Sequence, residues 1–452
     1  MDWQESQDNL NSKMTLQTIS EELEKKSKKK IIEDFIELYK EKEKLEKELK
    51  KYKNSNTPSS ANKHIKENTL GLKAKRGAKR GAPKGHKGAT FVWPDINKII
   101  RLYAKMCGNC NSRNIEPTGY IKKKKVICLQ KAKIIIKEYH QQEIRCLDCN
   151  TLTLATHKDI PKRGIYDKSI LSLVNYYKFK SRLPHNLVVD VMNNIHEVPM
   201  TEPTSMNITQ RVGQELEPEY QNIETKIKQS NVIQGDETSH SVNGINHWIW
   251  VFCNELLSLF KFKKERGGDI VEKTLGKDFK GKLVSDGWAT YTSYTQKNKI
   301  VHQRCLDHLK REMKHECKEK HSNLYKWCCD IYFMVKKGKR YKQEKRRIDM
   351  YEKCKAELAR LITCMEVHQH LRKLATKIKN GEDKWFTCIL YPELPMDNNE
   401  AERSLRPFVV MRKVIGCLRS EMGVRTHEIM MSIVSTWQKQ NKNVFYSLQQ
   451  SL

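Results

Sequence analysis

The chain has 452 residues, with 85 lysines and arginines against 54 aspartates and glutamates and a formal charge of +31. The length predicts three or more modules, and the charge predicts a polyanionic partner, nucleic acid first. No membrane partner is expected, because there is no run of about 18 apolar residues and no amphipathic anchor at the start. The opening MDWQESQDNL lacks the basic-then-apolar pattern of a secretion signal, so a cytoplasmic, nucleoid-associated protein with mostly reduced thiols is expected.

Residues 15–53 predict a coiled coil. Ile31, Phe35, Leu38, Lys42, Leu45, Leu49 and Tyr52 alternate spacings of four and three, an a/d seam set among Glu and Lys. A helix this charged gains little alone, which points to a homodimer or higher homo-oligomer. A solvated helix folded back on the body is the alternative. Over 54–90 prolines and glycines prevent regular structure. Between Lys51 and Thr90 eleven basic residues stand against Glu67 alone. This stretch predicts a flexible arm in which Lys75, Arg76, Lys79 and Arg80 contact DNA phosphates.

Residues 91–160 predict a zinc ribbon. Cys107-Gly-Asn-Cys110 and Cys146-Leu-Asp-Cys149 are knuckles 35 residues apart, the spacing with which four thiolates hold one structural zinc (Zn2+). The intervening segment alternates and is expected to be β-rich. Cys128 is left over, and Cys328, Cys329, Cys354 and Cys364 are expected to be small apolar fillers. Residues 161–228 predict three helices, a small helix-turn-helix-like DNA-binding module with Lys178, Lys180 and Arg182 near DNA. Plain packing helices would show the same periodicity.

Residues 229–452 predict the catalytic domain. NVIQGD, HWIWVFCN and SLFKFKK read as successive strands, with Asn243-Gly244 turning the first hairpin. GGDIVEKTLG then reads as a helix, GKLVSD and KIVHQRC as strands and LDHLKREMKHE as a helix. The order β-β-β-α-β-β-α is that of a ribonuclease-H-like α/β core, in which the first and fourth strands are neighbours. Asp236 and Asp286 end those two strands, and NNEAER opens a helix further on. Two strand-end aspartates and a helical glutamate are the layout of a two-metal phosphodiester site. In-line displacement needs both the attacking and the leaving oxygen stabilised, and two cations about 4 Å apart, held by carboxylates, do this. Magnesium (Mg2+) suits such hard ligands. The 115 residues between Asp286 and Glu402 far exceed one connection, and predict a helical insertion over about 318–395.

These motifs resemble the insertion-sequence-66 family of DDE transposases. The resemblance rests on GDET (Asp236), SDGW (Asp286), QRCLDH (Cys305, His308) and DNNEAERSLRP running into MRKVIGCLRSEMG. A basic GHKG segment, paired CxxC knuckles and a helical segment before the core extend it over most of residues 80–450. It implies cleavage and strand transfer of double-stranded DNA at the ends of a mobile element, with magnesium or manganese (Mn2+) as cofactor. The target is also DNA, and element-encoded accessory proteins are possible partners. This chain departs from the family by carrying Glu400 as well as Glu402. Residues two apart on a helix face different ways, and the match to the family's ER selects Glu402. Asp236, Asp286 and Glu402 are thus the expected metal ligands and catalytic residues, with Asp236 bridging both ions. Asp397 reads as a helix cap.

Arg403, Arg406, Arg412, Lys413 and Arg419 form a basic set beside the acids, suited to the phosphate backbone. Trp288 and Trp385 are candidates for stacking on an unpaired base, although core packing is the commoner fate of a tryptophan. Cys305-Leu-Asp-His308 has metal-like spacing, but without an evident second pair of ligands it suggests a structural or DNA-positioning role. His315 and Cys317 are the candidates to complete a site. Two other functions fit the same residues: a transposase-derived zinc-ribbon DNA-binding regulator without catalysis, and a ribonuclease-H-like nuclease that cuts without joining.

Overall fold

The computed structural model describes residues 95–452, apart from 97, 108, 127–133, 158, 162, 268 and 318–320, together with 36, 37, 39–43 and 45. The chain divides into two compact units, residues 1–124 and 125–452. In the first unit the described residues between 36 and 45 are helical and exposed, and the rest of the expected coiled coil and the whole basic arm lie outside the described residues. The first knuckle turns at Asn111, with φ of 58°. Its N–H bonds to the Cys107 carbonyl at 3.0 Å.

The second unit opens with a short antiparallel hairpin of β1 (Glu143–Arg145) and β2 (Leu152–Leu154). The Cys146–Cys149 knuckle is its turn. The β-rich ribbon expected between the knuckles reduces to β1 among the described residues. Four helices follow where three were expected: α1 (Lys168–Asn175), continued by a π-turn over Tyr176–Lys180, α2 (His185–Asn194), α3 (Glu202–Glu215) and α4 (Glu217–Lys228). They share one continuous apolar core with the sheet, so they are not a module with a core of its own. Lys178 lies inside that core at 4 % exposure, and burial lowers its ammonium pKa to about 8. It is therefore no DNA contact.

The sheet has five strands: β3 (Val232–Val242), β4 (Ile245–Cys253), β5 (Ser258–Lys263), β6 (Lys282–Ser285) and β7 (His302–Arg304). Their order is β5-β4-β3-β6-β7. The first three form antiparallel hairpins, while β6 and β7 join in parallel. Asn243 and Gly244, at φ 48° and 77°, make the expected two-residue turn. Helices α5 (Ile270–Leu275) and α6 (Ala289–Lys297) are the crossovers that parallel pairing requires. One face of the sheet receives Tyr291 of α6, whose ring stands 5.6 Å from that of Trp250. A Cβ at Gly235 would lie only 2.8 Å from that tyrosine, so the glycine admits it.

The other face carries α12 (Asn399–Ile415) and α13 (Glu421–Lys439). Phe408 of α12 meets Phe260 and Phe262 of β5 at 4.8 and 5.7 Å. The free edge of β5 is closed by polar side chains one helical turn apart on α13. Glu428, Ser432 and Thr436 accept the N–H groups of Phe262, Phe260 and Ser258 at 2.6, 2.9 and 3.0 Å, which leaves that edge nothing to offer another strand.

Between β7 and α12 lie α7 (Leu306–Cys317), α8 (Ser322–Gly338), α9 (Glu344–Glu366), α10 (Arg372–Lys379) and α11 (Thr387–Leu390). They pack around a second core that also takes in Val284 of the sheet; α7 is the helix expected after β7, and α8 to α11 lie within the stretch of about 318–395 expected as a helical insertion. Cys328 and Cys354 fill this core as expected, whereas Cys364 is exposed. The last helix, α14 (Val444–Ser451), returns to α1.

Candidate active site

Strands β3 and β6 pair in parallel with Gly235 opposite Ser285. Asp236 and Asp286 follow those residues, so both carboxylates leave neighbouring strands at the same level, about 5 Å apart in the pairing direction. Beyond the strand end, the Asp286 carboxylate accepts the Trp288 N–H at 3.0 Å. Helix α12 docks its start directly on β3. Buried Asn398 donates to the Gly235 carbonyl at 2.8 Å, and Gln234 accepts the Glu400 N–H at 3.3 Å. The cap position is Asn398, without a side-chain capping bond, rather than Asp397; Asp397, one residue earlier, accepts the Asn399 N–H at 3.1 Å, and the Asn399 side chain reaches Asp307 of α7 at 3.2 Å. The two asparagines of DNNEAER thus clamp α12 to β3 and α7. Sequence reasoning missed them, and their signal was two adjacent amides at a helix start.

The clamp separates the two glutamates. Glu400 turns to Arg403 at 2.6 Å and Lys439 of α13 at 3.0 Å. Glu402 does not share these partners, and its negative charge acts on Asp236. It also meets Arg311 at 2.5 Å and His308 at 3.7 Å. Burial holds the Asp236 carboxyl well above the usual carboxylate range, and the negative charges of Glu237, Asp286 and Glu402 push it further. A second acid that sequence reasoning passed over, Glu237, is raised by burial and then by Asp286. It is held by Arg266 at 2.8 Å and by the Tyr291 hydroxyl at 3.0 Å. Arg266 lies 3.5 Å from the Trp288 ring centroid and 4.6 Å from that of Trp248.

This electrostatic arrangement fits a divalent cation. Glu237 and Glu402 each have an arginine, while Asp236 and Asp286 face each other with no ion pair among the described residues. A cation between them would relieve the repulsion that raises Asp236. A different donor set adjoins it. Cys305, His308 and Glu402 have ligand atoms within 4.8 Å of one another, so the partner of the C-x-x-H pair is Glu402. His315 pairs with Glu316 and Cys317 is buried in α7. Magnesium, which prefers oxygen, would take only the glutamate of this set.

The sequence profile of the IS66 transposase family matches residues 163–426. The chain belongs to the IS66 transposase family. In this transposase the match takes in the whole sheet, both aspartates and Glu402, while the knuckles and basic arm precede it. A search of curated proteins found no match.

Of the basic set on and after α12, Arg406, Lys413 and Arg419 are exposed. Arg403 is paired with Glu400, and the Arg412 guanidinium donates to the Ser239 carbonyl and, at 3.1 Å, to its hydroxyl. Arg412 is therefore spent on holding α12 to β3. Trp385 is 3 % exposed and bonded to the Ile378 carbonyl at 2.9 Å; it is a core residue, not a base-stacking one. Both knuckles fold alike. Asn150, at φ 57°, closes on the Cys146 carbonyl at 2.9 Å, as Asn111 does on Cys107. Backbone N–H groups of Cys110 and Asn109 lower the Cys107 thiol, and the Thr151 hydroxyl lowers that of Cys149. Both shifts favour the thiolate that a metal needs.

Proposed function

We propose that this transposase binds the double-stranded ends of its mobile element and catalyses metal-dependent cleavage and strand transfer from a ribonuclease-H-like core. What supports this reading is the parallel pairing of β3 with β6, which brings Asp236 and Asp286 to the same level, together with the charges of Asp286 and Glu402 acting on the buried Asp236 carboxyl. Two magnesium or manganese ions held there would stabilise the attacking and leaving oxygens of an in-line displacement. Asp236, which feels both other acids, is the residue placed to serve both ions. Asn398 and Asp397 position Glu402, and Arg311 and His308 steady its outer oxygen.

The remaining parts support DNA handling. The arm residues Lys75, Arg76, Lys79 and Arg80 and the exposed Arg406, Lys413 and Arg419 supply phosphate contacts. Cys107, Cys110, Cys146 and Cys149 are proposed zinc ligands, on their spacing and on the thiolate-favouring turn of each knuckle. The helix near residue 40 is proposed to mediate self-association. The test is incubation of the full chain with duplexes carrying the element ends, with magnesium or with chelator. Nicked and joined products with magnesium alone support the reading. Nicked products without joining would favour the nuclease, and binding without either product would favour the regulator.

A further inference from the structure

Beside Asp286, between α6 and α10, the protein has a cavity of about 390 Å³ lined by Gly287, Thr292, Arg304, Lys373, Thr376 and Asn380 among others. No carboxylate lines it. Its innermost cation is Arg304, which ends β7 opposite Ser285, one residue from Asp286. Arg304 is 4 % exposed. Its guanidinium lies 4.4 Å from the Trp385 ring centroid.

The polar partners of this guanidinium are poor. Nη1 and Nη2 reach the carbonyls of Lys377 and Gly287 at 3.4 Å each, the far limit of a hydrogen bond. Nε has no partner. No carboxylate lies within ion-pair distance of the guanidinium among the described residues; the charges of Asp286, Glu312 and Asp383 act on it from further away. The neighbouring Lys377 is taken by Glu312 at 2.6 Å, which leaves Lys373 exposed at the rim. The backbone nevertheless makes room for the group. A Cβ at Gly287 would stand 1.8 Å from Nη2, and one at Gly381 would stand 1.7 Å from Nη1. A side chain at either position would push the guanidinium out of this place. An arginine stays charged in proteins, and burying that charge against a tryptophan face and two long hydrogen bonds, with no carboxylate in contact, is costly. A fold that builds a slot for one and leaves its donors unspent is built for an anion. A phosphate oxygen pair matches the planar fork of arginine.

We propose that this cavity is a subsite for a backbone phosphate of the DNA strand, next to the one that reacts, with Arg304 as its base and Lys373 at its rim. The proposal rests on the transposase reading above. It commits to DNA because Gly287 directly follows Asp286, so a phosphate held here lies on the path of a strand reaching the acids. It also gives the SDG motif a second meaning: the aspartate faces the metals, and the glycine admits the arginine that aligns the strand.

The experiment is binding of the full chain to element-end duplexes without divalent metal, with single phosphates replaced in turn by neutral methylphosphonates. The native protein is compared with Arg304→Lys, which keeps the charge but loses the fork, and with the rim variant Lys373→Gln, which leaves the core intact. One phosphate near the cleavage position is expected to weaken native binding by about tenfold when neutralised and to have little further effect in either variant. Lys373→Gln should also lower the salt slope by about one, while Lys336→Gln on α8 should not. Independent effects at every phosphate would overturn the subsite. So would inorganic phosphate raising the native melting temperature through Arg304 while no DNA phosphate couples to it, since the cavity would then hold a free anion. If no phosphate matters for any protein, the transposase reading itself falls, which is a separable result.

Discussion

Asp236→Asn should make the metal-free protein more stable and abolish its activity. In the folded chain Asp236 and Asp286 leave adjacent paired strands, and the other two acids nearby are already neutralised by Arg266 and Arg311. Burial is the largest cause of the raised Asp236 carboxyl, followed by the charge of Glu237 and then that of Asp286; the Asp286 pair sets the scale of the repulsion. At about 5 Å and an effective dielectric near 20, two unit charges repel by roughly 3 kcal/mol. Proton uptake by Asp236 limits the loss, so the gain from asparagine is smaller, about 1–2 kcal/mol, or roughly 2–4 °C in Tm. The sign with pH follows from the raised pKa. The native state keeps its proton where the unfolded chain has lost it, so native stability falls as pH rises from the ordinary carboxylate range through the raised one. The asparagine variant lacks that slope. Magnesium should stabilise the native protein, most at neutral pH, by about 2.7 kcal/mol at a hundredfold excess over Kd, and should stabilise the variant far less. Thermal melts at neutral and mildly acidic pH, with chelator and with magnesium, check all of this. A variant that melts at or below the native temperature and responds to magnesium as the native protein does would refute the reasoning.

Ser432→Ala should cost about 1–3 kcal/mol, because it leaves the buried Phe260 N–H unsatisfied on the edge of β5; chemical denaturation measures it, and a loss below about half a kcal/mol would mean that the edge is satisfied otherwise. Serine at both Cys107 and Cys110, or at both Cys146 and Cys149, should remove about one bound zinc per chain, read by metal analysis of purified protein. Neutralising Lys75, Arg76, Lys79 and Arg80 should reduce the salt slope of DNA affinity by about four; an unchanged slope would place the arm away from DNA.

Much of the sheet was legible because its signals are local. Short apolar runs ending in aspartate, and Asn243-Gly244 between two of them, fix strands and a turn without knowledge of their partners. The choice of Glu402 over Glu400 needed the family resemblance, and the salt bridges of Glu400 to Arg403 and Lys439 now supply a physical reason. What stayed hidden depended on tertiary partners. Helical periodicity over 168–228 shows an apolar stripe but not what it packs on, so core helices resembled a DNA-binding module and buried Lys178 resembled a phosphate contact. Arg412 differs for the same reason, since the fold uses it on its own backbone, and Trp385 takes the core position that was the commoner expectation for a tryptophan. Cys305 and His308 lacked a partner in sequence because Glu402 lies almost a hundred residues further along the chain.

The most direct measurement is the cleavage rate on element-end DNA with magnesium for Asp236→Asn, Asp286→Asn, Glu402→Gln and Glu400→Gln, each with its DNA affinity determined in parallel. The first three should bind DNA as the native protein does and cleave orders of magnitude more slowly, since each keeps its shape and loses a charge that holds metal. Glu400→Gln, whose carboxylate faces Arg403 and Lys439, should remain active. An inactive Glu400→Gln beside an active Glu402→Gln would move the third ligand by two residues. Normal cleavage by both would place that ligand elsewhere and contradict the three-acid site.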